Sequence, residues 1–244
     1  MNNDIKGQVA LVTGASRGIG RAASLALARE GAHVIVTART HSELESLVKE
    51  IEGHGVKGLA VAADAATVEG VEALKQAALS AFPQVDILVN NAGVAKYGLL
   101  GEHTVEDYDW MMNTNVRSTF LVTHAFVPGM LERKSGAVII VSSQAGLHGF
   151  ATETVYCATK FAQVGFAQAL DAEVRPHGIK VSVIAPGGVA TTFAFGTGRH
   201  EGMPALEGML EAEDVAEAVV FAAKQSPKSR IMLVGMRPMS EKSF

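Results

Sequence analysis

Tyr156 and Lys160 stand one helical turn apart in Tyr156-Cys157-Ala158-Thr159-Lys160. On a helix that spacing puts a phenol and an ammonium on one face. A free tyrosine ionises at about pH 10 and is a poor acid–base catalyst near neutrality. A lysine cation within a few ångströms favours the phenolate, so it is expected to bring that value down. The ammonium also has hydrogens to give to a sugar hydroxyl. Taken alone, Y-x-x-x-K is common by chance, and its company gives it weight. Ser143 follows an apolar run upstream, and its hydroxyl can hydrogen-bond a substrate oxygen. Asn115 sits within a segment of helical pattern, where asparagine is an indifferent former.

A second chemistry-bearing stretch lies near the start. Residues 8–20 read Gln-Val-Ala-Leu-Val-Thr-Gly-Ala-Ser-Arg-Gly-Ile-Gly. Val9–Val12 is an apolar run, as in a strand buried on both faces of a parallel sheet. Gly14, Gly18 and Gly20 follow, and an Ala-rich segment of helical period opens at Ile19. Strand, glycine loop and helix form a phosphate-binding layout: glycines bring the backbone close, and free N–H groups at the helix start face the anion. The spacing G-x-x-x-G-x-G is one residue off the G-x-G-x-x-G fingerprint.

The residues just after the second strand bear on the cofactor. A carboxylate there accepts from the 2′-hydroxyl of NAD, whereas a base pairs with the 2′-phosphate of NADP. This chain has Thr37-Ala38-Arg39 and no acid, with Arg17 inside the glycine loop. Both guanidiniums are expected to converge on a phosphate, which makes the cofactor NADP(H). Asp64, after the third strand, is expected to accept from the adenine amine. Asn91 serves either to fix the fourth strand's turn or to touch the cofactor. Gly93 lets the backbone pass close to the ribose.

These residues need a scaffold, and the rest of the pattern supplies one. Strands are predicted at His33–Ala38, Leu59–Ala63, Asp86–Asn90, Ala137–Val141, Ile179–Ala185 and Ile231–Val234. Helices are predicted at Ser42–Glu52, Val68–Phe82, Val105–Arg133 (bent near Pro128-Gly129), Thr154–Arg175 and Ala212–Lys224. Repeated strand–helix units with buried strands imply a parallel sheet covered on both faces. Ligands then bind beyond the C-terminal strand ends, where the residues above fall.

Bulk properties narrow the function classes. The 244 residues are 48% hydrophobic and 19% charged, with a net charge of −4. That is a globular composition with no bias toward nucleic acid or anionic membrane. Cys157 is the only cysteine, so neither an intrachain disulfide nor a cysteine-based zinc site is available. No apolar run approaches the roughly 20 residues of a membrane helix. The expected partner is a small molecule, in a cytoplasmic setting, without nucleic acid, membrane or metal.

In order along the chain, Thr13-Gly14-x-x-x-Gly18-x-Gly20, Asn90-Asn91-Ala92-Gly93, Asn115, Ser143, Tyr156-x-x-x-Lys160, Pro186-Gly187 and Thr191 resemble the short-chain dehydrogenase/reductase family. The likeness covers nearly the whole chain. It implies an α/β, doubly wound Rossmann fold: one seven-stranded, mainly parallel sheet of order 3-2-1-4-5-6-7, with helices on both faces. It implies a single domain over residues 1–244 with a substrate lid at 193–210, and a homo-oligomer, either tetramer or dimer. By resemblance Tyr156 is the general acid or base and Ser143 polarises a carbonyl. Lys160 lowers the tyrosine pKa and holds the ribose, and Asn115 supports a proton-relay water. Gly14, Ser16, Arg17, Gly18, Ile19 and Gly20 would hold the pyrophosphate side of the cofactor. Arg39, Asp64, Ala65, Asn91, Ala92 and Gly93 would line the adenosine half. Tyr156, Lys160, Pro186, Gly187, Val189 and Thr191 would lie along the nicotinamide half. The implied activity is NADP(H)-dependent oxidoreduction between a carbonyl and a secondary alcohol. Alternatives are a 3-oxoacyl-thioester reductase and a non-catalytic NADP-sensing or scaffold protein. The chain's end, Gly235-Met236-Arg237-Pro238-Met239, departs from the family's Val-Asp-Gly-Gly-like tail. Phe193, Phe195, Met203 and Met209 give the lid an apolar side. His148 and Phe150 are expected to line the substrate pocket, Trp110 to be core or interface, and Arg199 and His200 either to be a solvated pair or to meet an anionic substrate.

Overall fold

A computed structural model describes residues 4–203 and 206–241. Its centre is a parallel seven-stranded sheet ordered β3-β2-β1-β4-β5-β6-β7. The strands are β1 (Val9–Thr13), β2 (His33–Ala38), β3 (Gly58–Ala62), β4 (Ile87–Asn90), β5 (Gly136–Val141), β6 (Ile179–Pro186) and β7 (Leu233–Met236). The helices are α1 (Gly18–Arg29), α2 (His41–Glu52), α3 (Val68–Ala81), α4 (Val105–Met112), α5 (Ser118–Arg133), α6 (Thr154–Val174) and α7 (Ala212–Ala223).

Side chains alternate across a strand, so each central strand feeds two cores. Ala10 and Val12 of β1 pack with Leu27 of α1, Leu44 and Leu47 of α2, and Val215 and Val219 of α7. Val9 and Leu11 pack on the opposite face with Leu74 of α3, Phe126 of α5 and Val174 of α6. This two-sided burial is why β1, β4 and β5 read as continuous apolar runs.

Most boundaries fall within one residue of the sequence reading, and two elements differ by more. β7 begins at Leu233, two residues later than predicted, and its residues are only half-buried or exposed at the sheet edge. The helix predicted over 105–133 is divided, and the interruption is upstream of Pro128. Asn113–Arg117 is wound as a π-helix between α4 and α5, while α5 runs through Pro128. The wider turn falls on Asn115, the one position there that the motif singled out.

Among the described residues no helix is long and apolar enough to cross a membrane. Among them, too, no cluster of His, Cys, Asp and Glu is arranged to hold a metal.

Candidate active site

The strand ends open onto one cleft of about 1130 Å³. Each of the first six strands delivers a lining residue: Gly14 after β1, Arg39 after β2, Asp64 after β3, Asn91 after β4, Ser143 after β5 and Gly187 after β6. Ser16, Arg17, Gly18, Ile19, Ala65, Ala92, Gly93, Tyr156, Lys160, Pro186, Val189 and Thr191 line the same cleft. Gly20 and Asn115 do not; both are buried behind it.

The glycine loop is fixed from below. Thr13 Oγ1 accepts from the backbone N–H groups of Asn91 and Ala92, both at 3.0 Å. The Asn91 amide donates to the carbonyls of Thr13 at 2.9 Å and Gly14 at 3.1 Å. Of its two expected uses, Asn91 is therefore seen tying the loops after β1 and β4 together. Gly20 exists for that contact, since a Cβ there would lie 2.4 Å from Asn91 Nδ2. Gly18 has a φ of +53°, a region that favours glycine, and faces the Thr191 side chain. Above the loop, α1 begins at Gly18 after an extended Arg17, and its first N–H groups are directed at the cleft end.

Arg17 and Arg39 stand exposed at this end, their guanidiniums with no ion-pair or hydrogen-bond partner among the described residues. Asp64 lines the same end, but one carboxylate oxygen already accepts from the Ala66 N–H at 2.9 Å.

At the other end lie Ser143, Tyr156 and Lys160. Ser143 Oγ accepts from the Ala145 N–H at 3.1 Å and donates to the Pro186 carbonyl at 3.4 Å. Lys160 is buried; its ammonium donates to the Val141 carbonyl at 3.1 Å and to Gln163 Oε1 at 3.0 Å. Nζ is 5.7 Å from the centre of the Tyr156 ring. Asn115 clamps a loop: Oδ1 accepts from Val94 N at 2.8 Å, and Nδ2 donates to Val94 O and Thr159 Oγ1, both at 2.9 Å. Its carbonyl accepts from the Thr119 hydroxyl at 2.8 Å and the Gln163 amide at 2.8 Å.

The electrostatics correct one expectation. Burial pushes the Tyr156 phenol well above its usual value, the neighbouring Tyr97 adds to this, and a hydrogen bond with Ser143 opposes it. Burial pushes Lys160 down to about 7. Desolvation disfavours both charged forms, and the lysine does not acidify the phenol in this arrangement.

Sequence reasoning undervalued the substrate end. Tyr97 stands edge-on to Tyr156 with ring centres 6.0 Å apart, and Phe193 lies 6.0 Å from Tyr156 on another side. Trp110, expected in the core or an interface, lines the cleft, as does Phe150; His148 is not among the lining residues. Arg199, expected either in solvent or against an anionic substrate, lies 5.8 Å over the Tyr97 ring and donates to the Val189 carbonyl at 3.2 Å. Burial pushes the Tyr97 phenol up to about 12, against the pull of Arg199. Burial also raises the Glu153 carboxyl, again opposed by Arg199. The 193–210 segment is docked here. Tyr97 N donates to Thr197 O at 2.8 Å, and Thr197 Oγ1 to Ala95 O at 2.7 Å. Within it Phe193 and Met209 line the cleft; Pro204 and Ala205 fall outside the described residues. The atypical C-terminal stretch supplies Arg237 and Glu241. Glu241 accepts from Arg237 Nε at 2.8 Å and from the Gly188 N–H at 2.9 Å. A Cβ at Gly198 would meet the Tyr97 ring at 2.6 Å, so glycine is what lets the 193–210 segment lie against it.

Comparison with known proteins gives a consistent picture. The family model described as short chain dehydrogenase matches residues 8–201. A 3-oxoacyl-[acyl-carrier-protein] reductase of Synechocystis is 40% identical over 185 residues, covering 75% of this chain and 75% of that protein. Glycine betaine reductase of Emericella nidulans is 35% identical over 242 residues, covering 97% of this chain but only 19% of that longer protein. Among solved structures, an alcohol dehydrogenase from the archaeon Thermococcus sibiricus complexed with 5-hydroxy-NADP superposes with a TM-score of 0.90. It is 28% identical, over 98% of this chain and 100% of that one.

Proposed function

The chain belongs to the short-chain dehydrogenase family, and from that premise we propose that it is an NADP(H)-dependent carbonyl reductase, reversible toward a secondary alcohol. One observation carries the reading: a single cleft has two unpartnered guanidiniums at one end and a phenol, a hydroxyl and an amine at the other.

The cleft fits the dinucleotide on this chain's own features. The glycine loop leaves bare backbone at the start of α1, where an anion is favoured. Arg17 and Arg39 suit a dianionic 2′-phosphate, and no carboxylate follows β2 to select the 2′-hydroxyl. The Thermococcus neighbour carries an NADP derivative, which supports the same choice. Gly93 keeps the space beside Lys160 open; a Cβ there would begin 3.7 Å from Nζ. When bound, NADP(H) supplies or accepts the hydride.

The residues divide the remaining work. Lys160 Nζ has two acceptors and a third hydrogen to give to a ribose hydroxyl. Ser143 and Tyr156 receive the carbonyl oxygen, and Tyr156 gives it a proton as charge develops there. Burial keeps the phenol protonated at neutral pH, so the proton it donates is in place before the carbonyl arrives. Asn115 holds Val94 and, through it, the floor of the site. The same proposal includes one domain over 1–244, with 193–210 as the substrate lid, acting in the cytoplasm. Phe120 and Phe161, half-exposed on α5 and α6, support a homo-oligomer.

The test is NADPH consumption by the purified protein with a panel of ketones. A 3-oxoacyl thioester belongs in the panel because the Synechocystis relative is named for that chemistry. Turnover that depends on Tyr156 is expected. NADPH binding without turnover of any carbonyl would favour the sensing or scaffold alternative.

A further inference from the structure

Gln163 lies on α6, one turn beyond Lys160, and is 1% exposed. Such burial requires partners for both ends of its amide. Oε1 accepts from Lys160 Nζ at 3.0 Å. Nε2 donates to the Asn115 carbonyl at 2.8 Å and to Thr119 Oγ1 at 3.0 Å. The Thr119 hydroxyl in turn donates to the Asn115 carbonyl at 2.8 Å. The network fixes the orientation of the amide. A flipped Gln163 would set its oxygen against the Asn115 carbonyl and its NH₂ against an ammonium.

We infer that Gln163 is a positioning residue, bridging the Asn115 carbonyl and the Lys160 ammonium with its own amide. The inference rests on the reductase reading for the role of Lys160, but the bridge itself is read from this chain. The family resemblance implies a proton-relay water supported by Asn115; in this chain the Gln163 side chain also joins Asn115 to the lysine. An amide is a fixed dipole. It presents a partial negative charge to Nζ from one side and polarises against a carbonyl on the other, which strengthens both bonds. Val141 O supplies the second fixed acceptor, so two of the three hydrogens of Nζ are directed by protein. The third is left toward Gly93 and Tyr156. Around Nζ, β5 presents the Val141 carbonyl, α5 and the π-turn present the neutral Thr119 and Asn115, and the loop after β4 presents Gly93. Tyr156, on α6 itself, is the one titratable side chain facing it among the described residues. Burial without a carboxylate makes the lysine sensitive to a single neutral acceptor.

The experiment uses Gln163→Leu and Gln163→Glu in the full chain. The first reading is the titration of Lys160, followed by NMR in protein without NADP(H) and assigned with a Lys160→Arg variant. Gln163→Leu removes one acceptor and should lower the lysine pKa by about one unit, the scale of one hydrogen bond to a charged group. Gln163→Glu places a carboxylate there and should raise it. The second reading is kinetic: since Lys160 holds the ribose, Gln163→Leu should raise the KM for NADPH about tenfold, move the pH dependence of kcat/KM with the lysine, and leave kcat within about threefold. Unchanged lysine titration in folded Gln163→Leu overturns the inference. If that variant does not fold, Gln163→Glu, which keeps the volume, decides alone: an unmoved lysine overturns the bridge. If no variant, wild type included, consumes NADPH, the reductase reading fails while the titration still judges Gln163.

Discussion

Lys160 Nζ lies 5.7 Å from the centre of the Tyr156 ring, and its two hydrogen bonds go to Val141 and Gln163, not to the phenol. The pair occupies one helix face, as the spacing requires, yet each is pushed toward its neutral form by burial. A buried amine with neutral acceptors keeps its site ready for a charge it does not itself stabilise. That costs stability, and the cost depends on pH.

The first prediction rests on linkage. Lys160 has a folded pKa of about 7, against about 10.5 when exposed. Below pH 7 both states are protonated, and the penalty for burying the cation is fully present. Between about 7 and 10.5 the unfolded chain holds a proton that the folded chain has lost, so stability rises with pH. Lys160→Met removes this dependence. Its melting temperature relative to wild type should be highest below pH 7 and should fall steadily as pH rises toward 10. Thermal unfolding across that range checks this; a pH-independent difference would contradict the lysine's lowered pKa.

Tyr156→Phe keeps the ring that packs against Tyr97 and Phe193 and deletes only the hydroxyl. Turnover should fall at least about a hundredfold, within the usual range for losing a general acid. NADPH affinity, measured by fluorescence titration, should change less than about threefold. A Phe variant with wild-type turnover would sink the assignment of the proton donor.

Arg39→Asp replaces an unpartnered guanidinium with the acid that selects a free ribose hydroxyl. NADPH should bind at least about thirtyfold more weakly, because a charge-assisted bond is lost and a repulsion gained. NADH should bind as well or better. Titrating both cofactors gives the ratio, and an unaltered preference would remove Arg39 from the phosphate site.

The parts of this molecule legible in its sequence are those governed by local period. β1 and β5 are buried on both faces, so no polar residue interrupts them, and their extents were readable. β7 has half-exposed residues on the sheet edge, and its register was not. The cleft residues after β1 to β6 were legible because a parallel sheet sends every strand end to one side. The π-turn at Asn115 was hidden, since its residues keep a helical pattern and the wide turn is set by contacts with Val94, Thr159 and Gln163. Arg199 against Tyr97, and Glu241 against Gly188, join segments far apart in the chain. No spacing rule reaches that far, and the charge states of Tyr156 and Lys160 depend on burial that only the fold defines.

Gly20 gives the last prediction, because it is a motif glycine that lines nothing. A Cβ at this position would stand 2.4 Å from both Asn91 Nδ2 and the Gly14 carbonyl. Neither neighbour can yield freely, since the Asn91 amide is committed to Thr13 O and Gly14 O. Gly20→Ala must therefore break that clamp or shift the start of α1, and either moves Gly14 and Gly18 out of place. Overpacking of this kind costs about 1–3 kcal/mol. The loss of NADPH affinity should exceed what the fall in stability explains, because the loop's own geometry is altered. Gly101→Ala is the matched comparison: nothing lies within 4 Å of its added methyl, and both stability and affinity should stay near wild type. Denaturant unfolding and NADPH titration on the two variants separate the outcomes. Gly20→Ala with intact affinity would mean that the Asn91 clamp does not shape the phosphate loop.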